Sequence, residues 1–155
     1  MKILHGSNPL HRRMYLLDTN IISEARKGNR ANAGVRRFFM RVNEADESLF
    51  LSVVTVGELR RGVELIRHRG DHAQAASLES WLDAILRDYA DGIIDLSADI
   101  AQVWGRLRVP NPENALDKQI AATALIHDLT LVTRNERDFH HCGIRVFNPF
   151  ESLVM

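Results

Sequence analysis

The chain has 155 residues, 45% hydrophobic and 26% charged, which suits a single folded domain with its own core. Its 20 Lys and Arg balance its 20 Asp and Glu, and a formal net charge of zero argues against coating nucleic acid through bulk charge. One cysteine, Cys142, excludes an internal disulfide or a multi-thiolate metal cage and is expected to be a structural thiol near the last strand.

No apolar run approaches the roughly 20 residues of a membrane-spanning helix, and residues 1–13 lack a secretory apolar region, so a cytoplasmic protein is expected. Those first residues, with Gly6, Asn8 and Pro9 and no periodicity, are read as a flexible arm, and residues 14–155 as one domain. Tyr15–Leu17 reads as a short strand, Asn20 to about Lys27 as a short helix, and Gly28–Asn32 as a turn. The next helix runs to about Glu44, with Val35, Phe38, Phe39 and Val42 along one side. Leu49–Ser52 is a β run, followed by a helix on which Val56, Leu59, Val63 and Ile66 recur at spacings of three and four, broken at Gly70–Asp71.

A further helix, about His72 to Ala90, carries an apolar stripe that includes Leu78, Trp81, Leu82, Ile85 and Tyr89. This stripe is read as core or dimer surface. Gly92–Leu96 reads as a strand, and Ser97 caps a helix bearing Ile100, Val103, Trp104 and Leu107. After a loop with Pro110 and Pro112 come an Ala-rich helix, Ala115–His127, and two short strands, Leu129–Thr133 and Ile144–Phe147. Strands alternating with helices, without repeats, imply an α/β fold around a mainly parallel sheet.

Within this pattern Asp18, Glu58, Asp117 and Asp138 each follow or adjoin an apolar run where a helix begins. In an open parallel sheet such positions gather at the edge formed by the strand C-termini, where these folds bind ligands. Carboxylates meeting there would repel one another unless a cation held them, and an all-oxygen set favours Mg²⁺ or Mn²⁺. Each also has a purely structural explanation. Thr55-Val-Gly-Glu58 matches a capping box, and Asn114-Ala-Leu-Asp117 places an acid at the third position after an Asn cap. Asp18 could cap the helix after it, and Asp138 could lie in a surface turn. The ordered set favours a shared divalent site over four separate accidents.

Other chemistries have less support. No phosphate-binding glycine loop of either common type is present, and the seven histidines form no His-Glu-x-x-His pattern. Gly70 interrupts the His68/His72 helical pair, and His140-His141 point apart on a strand. Basic residues crowd between Arg12 and Arg41, and again at Arg60, Arg61, Arg67, His68 and Arg69, as solvated faces or nucleic-acid contacts. A flavodoxin-like receiver module would also use strand-end carboxylates and Mg²⁺, but Leu16-Leu17-Asp18 lacks the paired acids of such modules.

At these residues the chain resembles the PIN-domain family, and within it the VapC/FitB-like toxins of bacterial toxin–antitoxin pairs. The matching stretches are Leu16-Leu-Asp18-Thr-Asn20, Ser52-Val-Val-Thr55-Val-Gly-Glu58, Asp117-Lys-Gln-Ile-Ala-Ala, Leu131-Val-Thr133-Arg-Asn135-Glu-Arg-Asp138 and the closing Asn148-Pro149-Phe150. The resemblance implies a three-layer α/β/α sandwich with a short, mainly parallel central sheet, and a homodimer. It implies a Mg²⁺- or Mn²⁺-dependent ribonuclease silenced by a cognate VapB-like antitoxin, through which it would reach operator DNA only indirectly. Asp18, Glu58 and Asp117 match the core acidic positions, with Asp138 the fourth acid and Asn20, Thr133 and Asn135 supporting polar groups. Hydrolysis would use a water activated by the bound metal, with Asp18 and Asp117 as direct ligands and Glu58 a ligand or water-orienting group. Arg26, Lys27, Arg60, Arg61 and Arg134 lie near the motifs and are candidates for RNA phosphate contacts. An alternative expectation is a weakly active partner that works mainly inside an autoregulatory, DNA-bound toxin–antitoxin complex.

Overall fold

The computed structural model describes residues 13–151. The expected arm therefore lies, apart from Arg13, outside the described residues. Five strands form one sheet in the order β3-β2-β1-β4-β5: β1 (Met14–Leu17), β2 (Ser48–Ser52), β3 (Ile93–Ile94), β4 (Thr130–Val132) and β5 (Val146–Phe147). Every pairing is parallel, as when Leu16 lies beside Phe50 on one side and Leu131 on the other. Among the described residues the expected mainly parallel sheet is wholly parallel, and β1 is its centre.

Among the described residues six α-helices connect the strands: α1 (Thr19–Ala25), α2 (Ala33–Ala45), α3 (Val53–His68), α4 (His72–Asp88), α5 (Ala98–Leu107) and α6 (Ala115–His127). Alternation along β1 splits the core in two. Tyr15 and Leu17 join Ile21, Phe38, Leu59, Val63 and Leu82 on the face covered by α1 to α4. Leu16 and Leu131 join Ile120, Ala121, Ala124, Phe139 and Cys142 on the face covered by α6. The small side chains of α6 let it lie close to the sheet, and Cys142 is a buried free thiol as expected. The result is the three-layer sandwich.

Several boundaries differ from the sequence reading. β3 is only two residues long, where Gly92–Leu96 suggested five, because Ala90–Gly92 forms a 3-10 turn and Gly92 passes close to the strand beside it. A Cβ on Gly92 would stand 2.8 Å from the Leu49 carbonyl oxygen, so only a glycine fits unshifted. The expected cap at Ser97 is present, its hydroxyl accepting from the Ile100 N–H at 3.1 Å. Thr55 caps nothing. Ser52 takes that place, accepting from the Val54 N–H at 3.1 Å, so α3 starts earlier and Glu58 sits in its second turn. Asn114 is likewise no side-chain cap but a left-handed residue (φ 55°) preceding α6.

Candidate active site

The parallel register sets the C-termini of β1 and β4 side by side. Asp18, just past β1, donates its N–H to the Val132 carbonyl at 2.9 Å, and Thr133 donates its N–H to Phe147 at 3.0 Å. Asp18 and Thr133 therefore extend the ladder beyond the strands and face the same edge. The Asp18 carboxylate is 6% exposed. One of its oxygens caps α1 by accepting from the Thr19 N–H at 2.8 Å. The other accepts from the Thr133 hydroxyl at 2.8 Å and the Asn20 amide at 3.4 Å. Capping and site chemistry coincide here: the expected helix cap is realised, yet the carboxylate also carries a second set of donors that capping does not need.

Thr133 and Asn20 knit the edge together. The Thr133 hydroxyl accepts from the Asn135 N–H at 3.1 Å and lies 3.4 Å from the Asn20 amide nitrogen. Asn20 Oδ1 accepts from the Arg134 N–H at 3.1 Å. Despite its donors, Asp18 has its pKa raised above the usual carboxylate range, first by burial and further by the charge of Asp138. The hydrogen bonds from Thr133, Thr19 and Asn20 work in the opposite sense.

Asp117 stands in the first turn of α6, where the helix dipole favours its charged form. Its pKa is nevertheless pushed up to about 6, first by burial, then by the negative fields of Asp18, Asp138 and Glu58. The other three acids thus all act on this one position. Glu58, half-buried on α3, has lost the capping explanation because Ser52 starts that helix. Asp138 is exposed on the 3-10 turn Glu136–Phe139, in the surface turn its context suggested, and still acts electrostatically on Asp18 and Asp117.

The donors are all oxygens, the chemistry a hard divalent cation prefers. Among the described residues, however, no three His, Cys, Asp or Glu side chains converge closely enough to hold an ion as they stand. The described residues thus form no all-protein cage, and a cation held here would need water and a substrate phosphate to complete its shell.

The candidate phosphate contacts fall in different settings. Lys27 pairs with Glu24 at 3.0 Å, and Arg26 lies over the Trp81 ring, 5.9 Å from its centroid. Arg60 bridges α3 to α4 through Glu79 at 2.7 Å and also faces Glu64 at 3.6 Å, while Arg61 is exposed on the same helix. Arg134 is exposed beside Asn135 and Asp138 and lies over Phe150, 4.8 Å from the ring centroid. Sequence reasoning did not single out Asn148 as a neighbour of this edge. This buried side chain donates to the Arg134 carbonyl at 3.3 Å, and its presence in the closing Asn-Pro-Phe motif was the available signal.

An open parallel sheet, with a buried carboxylate ending its central strand and acting together with two more acids on a fourth beside it, defines an α/β protein with an acidic strand-end site. The sequence profile described as "PIN domain" matches residues 15–144, and the chain belongs to the PIN-domain family. It is 32% identical over 145 residues to Toxin FitB of Neisseria gonorrhoeae, covering 88% of this chain and 99% of that one. It is 31% identical to the VapC ribonuclease Y4jK of Sinorhizobium fredii, covering 89% of this chain and 99% of that one. Among solved structures, FitAB bound to an IR36 DNA fragment superposes with a TM-score of 0.78 at 30% identity, covering 91% of this chain and 99% of that one. A toxin–antitoxin complex from Klebsiella pneumoniae does so at 0.58 and 28% identity, covering 88% and 98%.

Proposed function

We propose that this protein is the toxin of a type II toxin–antitoxin pair, a ribonuclease that hydrolyses RNA phosphodiester bonds with the help of Mg²⁺ or Mn²⁺. The observation that carries the reading is the buried Asp18 carboxylate, gripped by Thr133 and Asn20 while Asp18, Asp138 and Glu58 all press on Asp117. A buried carboxylate is expensive unless paired, and the mutual repulsion centred on Asp117 worsens rather than relieves the cost. When bound, a divalent cation would supply a nucleophilic water at neutral pH and neutralise charge developing on the phosphate.

The chain's own residues have separable tasks in this reading. Asp18 and Asp117 hold the cation. Thr133 and Asn20 fix the Asp18 carboxylate in one orientation, because both donate to the same oxygen. Glu58 ligates or orients the attacking water, and Asp138 contributes negative charge from its exposed turn, with Asn135 as a polar helper. The acidic centre draws the cation and repels bare phosphate, so RNA must be steered by arginines at its margin. A purified Asp18→Asn protein that still cleaved RNA at the wild-type, metal-dependent rate would remove this assignment.

The VapC relative is named a ribonuclease, and the Klebsiella neighbour is a toxin–antitoxin complex. The first supports the nuclease reading and the second an antitoxin partner for this chain. The DNA-bound FitAB neighbour favours a second role, in which toxin and antitoxin together occupy operator DNA and the toxin touches it only through its partner. Measuring operator binding by the antitoxin, with and without the Asp18→Asn toxin, separates the roles. If the catalytically silent toxin still changes operator affinity, the complex works independently of cleavage.

A further inference from the structure

Beside Asp138 a cavity of about 380 Å³ opens to solvent, lined by Arg134, Asn135, Glu136, Arg137, Asp138 and Glu151. Arg134 differs there from Lys27 and Arg60. Lys27 and Arg60 are in salt bridges, whereas the Arg134 guanidinium is in none among the described residues. Its place is nonetheless fixed. The backbone N–H is held by Asn20 Oδ1 at 3.1 Å and the carbonyl by the Asn148 amide at 3.3 Å. The guanidinium lies over Phe150 at 4.8 Å.

Phe150 is itself anchored. Its N–H donates to Asn148 Oδ1 at 3.0 Å, so one buried amide fixes both Arg134 and the ring that Arg134 covers. The ring packs against the core, and Pro149 is pressed onto α2 at Gly34, where an added Cβ would stand 1.9 Å from the Pro149 carbonyl oxygen. A guanidinium supported on its face keeps its N–H edge free, the geometry for bidentate binding of a phosphate.

Resting on the ribonuclease reading above, we propose that Arg134, supported by Phe150 and Asn148, binds the RNA phosphate next to the scissile one, with that nucleotide's base in the adjoining cavity. Thr133 holds the Asp18 carboxylate, so the next residue lies at the margin of the reacting centre. An acidic peptide fits poorly because Glu136, Asp138 and Glu151 share the rim. A nucleotide brings a single charge to the arginine and a neutral base to the carboxylates, which can accept from its exocyclic amino group. Arg134 is on this account a binding residue, and Phe150 and Asn148 are positioning residues.

The test combines steady-state cleavage of a mixed-sequence single-stranded RNA oligonucleotide with its binding, by fluorescence anisotropy across a salt series, to protein carrying Asp18→Asn. Arg134→Ala is expected to raise KM about tenfold with kcat within about threefold, and to lower the salt slope by about 0.7, the contribution of one single-strand phosphate contact. Arg134→Lys should restore the slope but only part of KM. Phe150→Leu should raise KM about threefold with the slope unchanged, since it loosens the arginine without removing its charge. An Arg134→Ala protein with wild-type KM and slope overturns the proposal. So does one that instead fails only to assemble with the antitoxin, which would assign the cavity to a protein partner. Absence of cleavage by the wild type, with the Arg134-dependent slope intact, would strike the nuclease reading and leave the phosphate contact standing.

Discussion

Asp18 shows how much one side chain can be asked to do. It ends the central strand, caps α1 and faces the edge where the other acids act. Asn caps a helix as well as Asp does, so Asp18→Asn should keep the fold while lowering RNA cleavage about 100-fold or more, beyond the ~10–100-fold typical of groups that merely orient a ligand. Matched melting curves and cleavage rates check this. Thr133→Val removes the donor to Asp18 and leaves the Asn135 N–H without its acceptor, at about 1–3 kcal/mol of stability. Because the Thr133 hydrogen bond lowers the Asp18 pKa, its loss should move the acid limb of the kcat/KM profile to higher pH. An unmoved limb would mean that Asp18 ionisation does not control the reaction. Asp117 makes a signed prediction for metal-free protein. Its folded pKa of about 6 exceeds the ordinary 3.8, so the folded state holds this proton more tightly than the unfolded chain. The destabilisation is absent below 3.8, grows across the window up to about 6 and is complete above it. Asp117→Asn should therefore be more stable than wild type by about 1 kcal/mol near pH ~7.5, a value discounted for partial exposure, and no more stable near pH ~4. Urea melts of chelator-treated protein at the two pH values test it.

At the scale of elements, the closing segment is held by backbone proximity rather than by a large interface. Alanine is normally better than glycine within a helix by about 1 kcal/mol. At Gly34 the order should reverse, because the new Cβ would overlap the Pro149 carbonyl, and a loss of about 2 kcal/mol or more is expected in urea unfolding. What the sequence revealed of the elements follows from periodicity. The stripes on α2 and α4 and the apolar triplet of β1 located those segments to within about two residues, as did the Ser97 cap. The start of α3 was not legible, since Ser52 and Thr55 are both good caps and only tertiary register decides between them. The correction matters for the site: Glu58 in the second turn of α3 has no helix end to serve. Asn114 misled for a related reason, because asparagine is common both as a cap and in the left-handed conformation it adopts here. The four acids were legible as a set because strand ends in a parallel sheet share an edge. The support of Arg134 by Asn148 and Phe150 was not, since it depends on where the chain passes after β5.

For the whole molecule, a net charge of zero conceals an acidic centre with cationic margins. Binding of RNA should accordingly be salt-sensitive through a few local contacts, and a flat salt titration would count against that picture. No helix among the described residues is long and apolar enough to cross a membrane. Expression of the wild type alone should arrest growth, and co-expression of the antitoxin or the Asp18→Asn substitution should each relieve it. The most direct test of the account is in vitro. Purified wild-type and Asp18→Asn proteins are incubated with RNA pools in Mg²⁺, in Mn²⁺ and in chelator, and the products are mapped by end sequencing. Discrete metal-dependent cuts by the wild type alone are the predicted result. Equal cleavage by both proteins, or cleavage undiminished by chelator, would contradict it.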